Sequence, residues 1–128
     1  MRRTRAPNRL LLTGTVSVAL ASAIAGCSHT VPVGANRTLQ VALSEYRVVP
    51  QRVQAKAGQL TLVVENDGRL THNLAISSNG TIVGQTPPIP PGGGAELTVA
   101  LAPGTYLMSS TLFSDQALGE YGTLAVTR

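Results

Sequence analysis

The chain has 128 residues, of which 43% are apolar and only 12% charged, with 13 Gly and 8 Pro. That length holds one ordinary domain and excludes a multidomain enzyme, while the composition is too apolar for a disordered chain and too rich in Gly and Pro for a coiled coil. A formal charge of +4 and a pI near 10.0 would suggest an anionic partner, but the excess is confined to the first few residues.

Arg2, Arg3, Arg5 and Arg9 precede Leu10-Leu11-Leu12 and an uncharged run that reaches Ala25. This is the charged and then apolar pattern of a secretory signal, and the run is short for a spanning helix. It ends in Ile24-Ala25-Gly26-Cys27, which resembles a bacterial lipobox, and Cys27 is the only cysteine in the protein. Residues 1–26 are therefore expected to be a lipoprotein signal peptide. Cleavage before Cys27 would leave that residue lipidated, palmitate included, as the anchor on the extracytoplasmic side of the membrane of the bacterial cell envelope. A conventionally cleaved signal is the alternative, and it would leave an exported thiol with no partner.

Without the four leading arginines the charges balance: Arg37, Arg47, Arg52, Lys56, Arg69 and Arg128 against Glu45, Glu65, Asp67, Glu96, Asp115 and Glu120. Three Tyr and one Phe are scattered along the chain. There is neither an electrostatic footprint nor a stacking platform, so no nucleic-acid partner is expected.

Residues 27–37, from Cys27 through small and polar residues broken by Pro32 and Gly34, read as the lipidated Cys and a tether. Residues 38–128 read as the folded domain. Leu39, Val41 and Leu43 alternate with polar or small residues, as do Leu60, Leu62 and Val64, and again Leu97, Val99 and Leu101. Period two marks half-buried strands. The breaks are turn chemistry: Ala57-Gly58, Asn66-Asp67-Gly68, Gly92-Gly93-Gly94 and Pro103-Gly104. Asn79-Gly80 predicts a type I′ hairpin between Leu74-Ala75-Ile76 and Thr81-Ile82-Val83. No sustained helical stripe is present, and Ser114 to Leu118 is long enough for a single turn. Seven to eight short strands imply an all-β Greek-key β-sandwich.

The order of segments resembles a cupredoxin-like domain of the plastocyanin and azurin type. The resemblance is carried by Val49-Pro50, the run Val53 to Gly58, a strand ending in Glu65-Asn66, and Thr71-His72-Asn73-Leu74. It is carried further by Ala102-Pro103-Gly104-Thr105-Tyr106 and by Gly119-Glu120-Tyr121-Gly122-Thr123-Leu124-Ala125-Val126, and it covers residues 38–128. Members with blue copper supply an upstream His and, from the C-terminal loop, a Cys, a His and usually a Met. The resemblance places Ser110 at the Cys position, Asp115 at the second His and Glu120 at the Met, so only His72 is kept.

Blue copper needs a cysteine thiolate in a trigonal site with two imidazoles, and Cys27 is the only cysteine. A serine hydroxyl ionises far above a thiol and is no replacement. No type 1 copper site and no cofactor are therefore expected, and the electron-transfer role is not inherited. The resemblance nevertheless brings His72, Asp115 and Glu120 to one end of the sandwich, a ligand set that suits Cu(II), Zn or another divalent metal. The competing reading makes His72 a buried histidine bonded to the loop and the two carboxylates solvated rim groups. Asn73 is expected to tie the two ligand loops together by hydrogen bonds.

Ser110, His72 and Asp115 are also the residue types of a nucleophilic triad. Nothing resembles a nucleophile elbow and no oxyanion hole is legible, so no catalytic residue is assigned and the protein is expected not to be an enzyme. Phe113 reads equally as a partner-docking aromatic or as a plug over the altered site, and Asn73, Ser110 and Phe113 form a candidate partner surface. Pro87-Pro88-Ile89-Pro90-Pro91 reads as a stiffened loop rather than a polyproline recognition face. The leading expectation is a lipid-anchored binding or accessory domain with an unidentified cell-envelope protein partner. The alternative is a metal-handling protein using His72, Asp115 and Glu120, with copper or zinc bound.

Overall fold

The computed structural model describes residues 29–112 and 121–128. Among them every regular element is a strand: β1 (Val31–Pro32), β2 (Thr38–Ser44), β3 (Arg47–Val49), β4 (Arg52–Lys56), β5 (Gly58–Asn66), β6 (Ala75–Ser78), β7 (Thr81–Gln85), β8 (Gly94–Leu101), β9 (Gly104–Ser109) and β10 (Tyr121–Thr127). A six-stranded sheet in the order β1-β4-β10-β9-β6-β7 faces a four-stranded sheet in the order β3-β2-β5-β8. The all-β sandwich expected from the alternation is thus the fold. Cys27, Phe113, Asp115, Glu120 and the short turn considered at Ser114 to Leu118 lie outside the described residues.

Alternating strands bury one face each because successive side chains point to opposite sides of a sheet. Leu39, Val41 and Leu43 of β2, Leu60, Leu62 and Val64 of β5, and Val99 and Leu101 of β8 enter the same core from one sheet. Val53, Ile76, Tyr106, Met108, Leu124 and Val126 meet them from the other. Each fully buried Leu or Ile contributes about 1.5–3 kcal/mol from apolar burial. Asn79 and Gly80 have φ of 49° and 79°, the paired positive values that a two-residue type I′ hairpin requires, and β6 and β7 pair on either side of them.

The structure departs from expectation in two places. Ten strands are present, more than the seven or eight anticipated, because β1 and β3 have two and three residues, too few to show a period. The segment read as a tether is also partly folded. Val31 and Pro32 pair in parallel with Val53 and Gln54 of β4, and the Val33 N–H donates to the Gln54 carbonyl at 2.8 Å. Without β1, β4 would be the edge of the sheet with unpaired backbone groups, and the extended segment satisfies them. Arg37 then locks the entry to β2, its guanidinium donating to the carbonyls of Gln59 at 2.9 Å and Lys56 at 2.7 Å.

Register brings the chemistry-bearing residues to one end. β2 and β5 run in parallel and finish side by side, Leu43 opposite Asn66. β9 finishes and β10 begins at that end too, Ser109 opposite Tyr121. The β2–β3 turn, the segment after β5 and the residues after β9 therefore meet there.

Candidate functional site

Asn66 organises the site from the last position of β5. It is 1% exposed, and its Nδ2 donates to the carbonyls of Leu70 and Ile89, each at 2.8 Å. Its Oδ1 accepts from the Gly68 N–H at 2.9 Å. Both amide hydrogens and the oxygen are used, as burial of an amide demands. His72 follows this turn, and its backbone exchanges two hydrogen bonds with Ile89: His72 N–H to the Ile89 carbonyl at 3.1 Å and Ile89 N–H to the His72 carbonyl at 2.7 Å. The proline-rich loop thus carries the backbone partner of His72, with Ile89 buried between its prolines.

The His72 ring is buried, 1% exposed, and its Nε2 lies 3.4 Å from Oε1 of Glu45. Glu45 belongs to the β2–β3 turn. The same Oε1 accepts from the backbone N–H groups of Arg69 at 2.5 Å and Leu70 at 2.9 Å. The amides of Leu70 and Arg69, with lesser help from its own backbone and from His72, hold the Glu45 carboxyl down from 4.5 to about 2. Donors aimed at the ionised form stabilise it, so the carboxylate stays charged over the whole ordinary pH range. Gly68 makes room for this cluster. A Cβ there would stand 2.7 Å from Oε1 of Glu45 and 3.0 Å from Nε2 of His72, closer than side-chain packing tolerates.

Asn73 ties the two loops together. Its Oδ1 accepts from the Ser110 hydroxyl at 3.1 Å and from the Thr111 N–H at 2.8 Å, while its Nδ2 donates to the Thr111 hydroxyl at 3.0 Å. The Ser110 oxygen in turn accepts from the N–H groups of Asn73 and Leu112, both at 3.4 Å. Ser110 and Asn73 are 0% and 5% exposed, so this network sits in low dielectric where each directed bond counts.

The structure therefore brings His72, Asn73 and Ser110 to one end of the sandwich and adds Glu45, Asn66, Gly68, Ile89 and Thr111, which sequence reasoning did not assign to a site. For Glu45 no signal existed, since a carboxylate at a hairpin tip looks like any solvated rim charge. Ile89 left a faint one, as a lone apolar residue between prolines. Among the described residues no three His, Cys, Asp or Glu side chains converge as a metal-holding group. A groove of about 530 Å³ on the outer face of the six-stranded sheet, with Ser77, Ile82, Leu107 and Thr123 in its lining, touches the site only at Thr111 and is not lined by His72, Asn73 or Ser110.

Known proteins resemble the chain in fold. Reduced auracyanin from the photosynthetic bacterium Roseiflexus castenholzii superposes with a TM-score of 0.66 at 22% identity, covering 74% of this chain and 100% of that one. Auracyanin A, a blue copper protein from the green thermophilic photosynthetic bacterium Chloroflexus aurantiacus, gives 0.62 at 20% identity, with 75% and 99% covered. Rusticyanin from Thiobacillus ferrooxidans gives 0.63 at 18% identity, with 77% and 82% covered. No curated protein matches the sequence. The family model described as the cupredoxin-like domain matches residues 16–121, most of the chain. With a two-sheet sandwich whose parallel β2–β5 pair delivers a buried histidine to the loop end, the chain belongs to the cupredoxin-like domain family.

Proposed function

We propose that the protein is a lipid-anchored, extracytoplasmic cupredoxin-like domain without a type 1 copper site, serving as a binding or accessory module of the bacterial cell envelope rather than as an enzyme. The observation that supports this best is Ser110. Its hydroxyl stands where the family resemblance puts the thiolate, and it is engaged with Asn73 and Leu112 in a hydrogen-bonded network. A type 1 site depends on a Cu–thiolate bond, and the one cysteine is Cys27. The donor set of this chain does not fit that copper centre. The anchor rests on the signal pattern and Ile24-Ala25-Gly26-Cys27, and its partners are the membrane and an envelope protein.

A second reading, a metal-handling protein that holds Cu(II) or Zn(II) through His72, Asp115 and Glu120, is favoured by one feature. A carboxylate against one imidazole nitrogen, as Glu45 stands to His72, is the pairing that orients metal-ligating histidines. Titration of Cu(II) and then Zn(II) into the purified protein, with electron paramagnetic resonance on the copper sample and His72→Ala as control, separates the two. The accessory reading expects no binding above the His72→Ala background. One equivalent of tight binding that disappears in His72→Ala would replace it with the metal-handling reading.

A further inference from the structure

The direction in which β1 enters its sheet decides which end of the sandwich faces the membrane. β10 starts at the His72 end, with Tyr121 opposite Ser109, and runs away from it. β4 runs parallel to β10, and β1 parallel to β4 with Val31 opposite Val53. The chain therefore arrives at β1 from the His72 end. Only Ser28, His29 and Thr30 separate Val31 from Cys27, a stretch that reaches at most about 14 Å when extended. Val31 and Leu124 share Val53 as neighbour, so Val31 lies about 10 Å short of the level of Tyr121. Three intervening residues cannot carry the anchor far from the end at which β1 enters.

From this geometry we infer that the lipid on Cys27 seats the His72 end of the domain against the bilayer, an inference that rests on the proposed anchor. The surface at that end suits an interface. Tyr46, Leu70 and Tyr121 are 60%, 54% and 43% exposed; Tyr46 follows Glu45 in the β2–β3 turn, Leu70 lies two residues before His72, and Tyr121 starts β10 opposite Ser109. Tyr and Leu are the residue types that settle at the headgroup boundary. The opposite end presents the β6–β7 turn at Asn79 and Gly80 and the β8–β9 turn at Ala102 and Pro103; the exposed Ile82 and Val83 stand back from it on the edge strand β7, Ile82 level with Leu107 in mid-sheet.

Charge pulls the other way. The opposite end carries Arg37, Lys56 and Arg128, whereas Arg47, Arg52 and Arg69 near His72 are balanced by Glu45, Glu65 and Asp67. The inference is that the short tether and the apolar contact prevail over that charge. Its consequence is functional: whatever reaches His72, Asn73 and Ser110 does so at the membrane surface, as a bilayer-embedded partner would.

The test uses the full chain, processed and acylated at Cys27, in vesicles of phosphatidylcholine alone and of phosphatidylcholine with phosphatidylglycerol, each containing a brominated phosphatidylcholine. With Cys27 acylated, Arg69→Cys or Ala102→Cys supplies the one reactive thiol for a bimane label. Interfacial groups lie roughly 5–10 Å into the headgroup boundary, so bimane at position 69 should lose roughly half its emission in both vesicle types. Bimane at position 102, about 20 Å away along the strands, should lose none. Equal quenching at the two positions, or stronger quenching at position 102 in either vesicle type, overturns the orientation. Mass spectrometry of the same sample shows whether Cys27 carries lipid: acylation without quenching at position 69 overturns the orientation alone, and its absence removes the anchor and the orientation together.

Discussion

The middle of the sandwich and its His72 end are both dry, yet they are held together differently. In the middle, Leu60, Leu62 and Leu124 are fully buried among other apolar side chains, and the attraction between them has no direction. At the end, Asn66, His72, Asn73 and Ser110 are as deeply buried, but the polar atoms named there are matched to specific donors and acceptors, some within the same turn and some on a distant loop. Burial by itself is thus the same in both regions. What differs is the penalty for a wrong neighbour, which in the middle is a void and at the end is an unsatisfied polar group.

That contrast can be broken from either side. Leu62→Ala removes a side chain at 0% exposure from between the two sheets, and urea unfolding should show a loss of about 2–5 kcal/mol. The amide resonances of Asn73 and Thr111 should stay in place, because the polar end is held by its own bonds. Asn73→Ala does the reverse. It strips the acceptor from Ser110 and Thr111, and the expected cost is about 1–3 kcal/mol with accelerated hydrogen exchange at the Thr111 amide. A loss below a few tenths of a kcal/mol would mean that water replaces the side chain and that the end is not dry.

Gly68→Ala sharpens the comparison at its most crowded point. The added methyl meets Glu45 and His72 at 2.7 and 3.0 Å, and a cost of about 1–3 kcal/mol is expected, accompanied by shifts of the His72 ring resonances. Tyr106→Phe probes a solitary polar bond far from that site, the hydroxyl donating to the Ala102 carbonyl at 2.8 Å. About 1 kcal/mol is expected there, with no change around His72.

Glu45→Gln tests the charge itself through its pH dependence. The folded carboxyl is depressed to about 2 from 4.5, so between those values the unfolded chain binds the extra proton and stability rises with pH. The stability that wild type gains from the charge is therefore full above about pH 5 and lost as pH falls towards 2. Unfolding curves of wild type and Glu45→Gln should run parallel above pH 5 and converge below pH 4. A constant difference down to pH 2 would show that the Arg69 and Leu70 amides bind the side chain without regard to its charge.

The fold was legible because its signals are local. Alternation in residues 39–43, 60–64 and 97–101, together with Asn79-Gly80, reports which face is buried and where the chain reverses, and these depend on neighbours within a few positions. The role expected of Asn73 was legible for another reason: the resemblance carried it, and the structure shows the side chain joining Thr111 and Ser110 as expected. Val31–Pro32 was not legible as a strand, since two residues have no period and their partner, β4, lies some twenty positions away. The places of Cys27, Phe113, Asp115 and Glu120 lie outside the described residues.

By itself the sequence determined the sandwich, its turns and the absence of any cysteine besides Cys27, because side-chain period, turn chemistry and composition are properties of the chain before it folds. Only the tertiary structure decided that the Glu45 carboxylate caps the Arg69 and Leu70 amides beside His72, that Ile89 supplies the backbone partner of His72, and that β1 enters from the His72 end. Those contacts join segments 17 to 27 positions apart; the His72–Ile89 pair is an isolated antiparallel bridge, and the other two depend on the register of parallel strands. No local pattern encodes that register: it exists once β2 lies beside β5 and β1 beside β4.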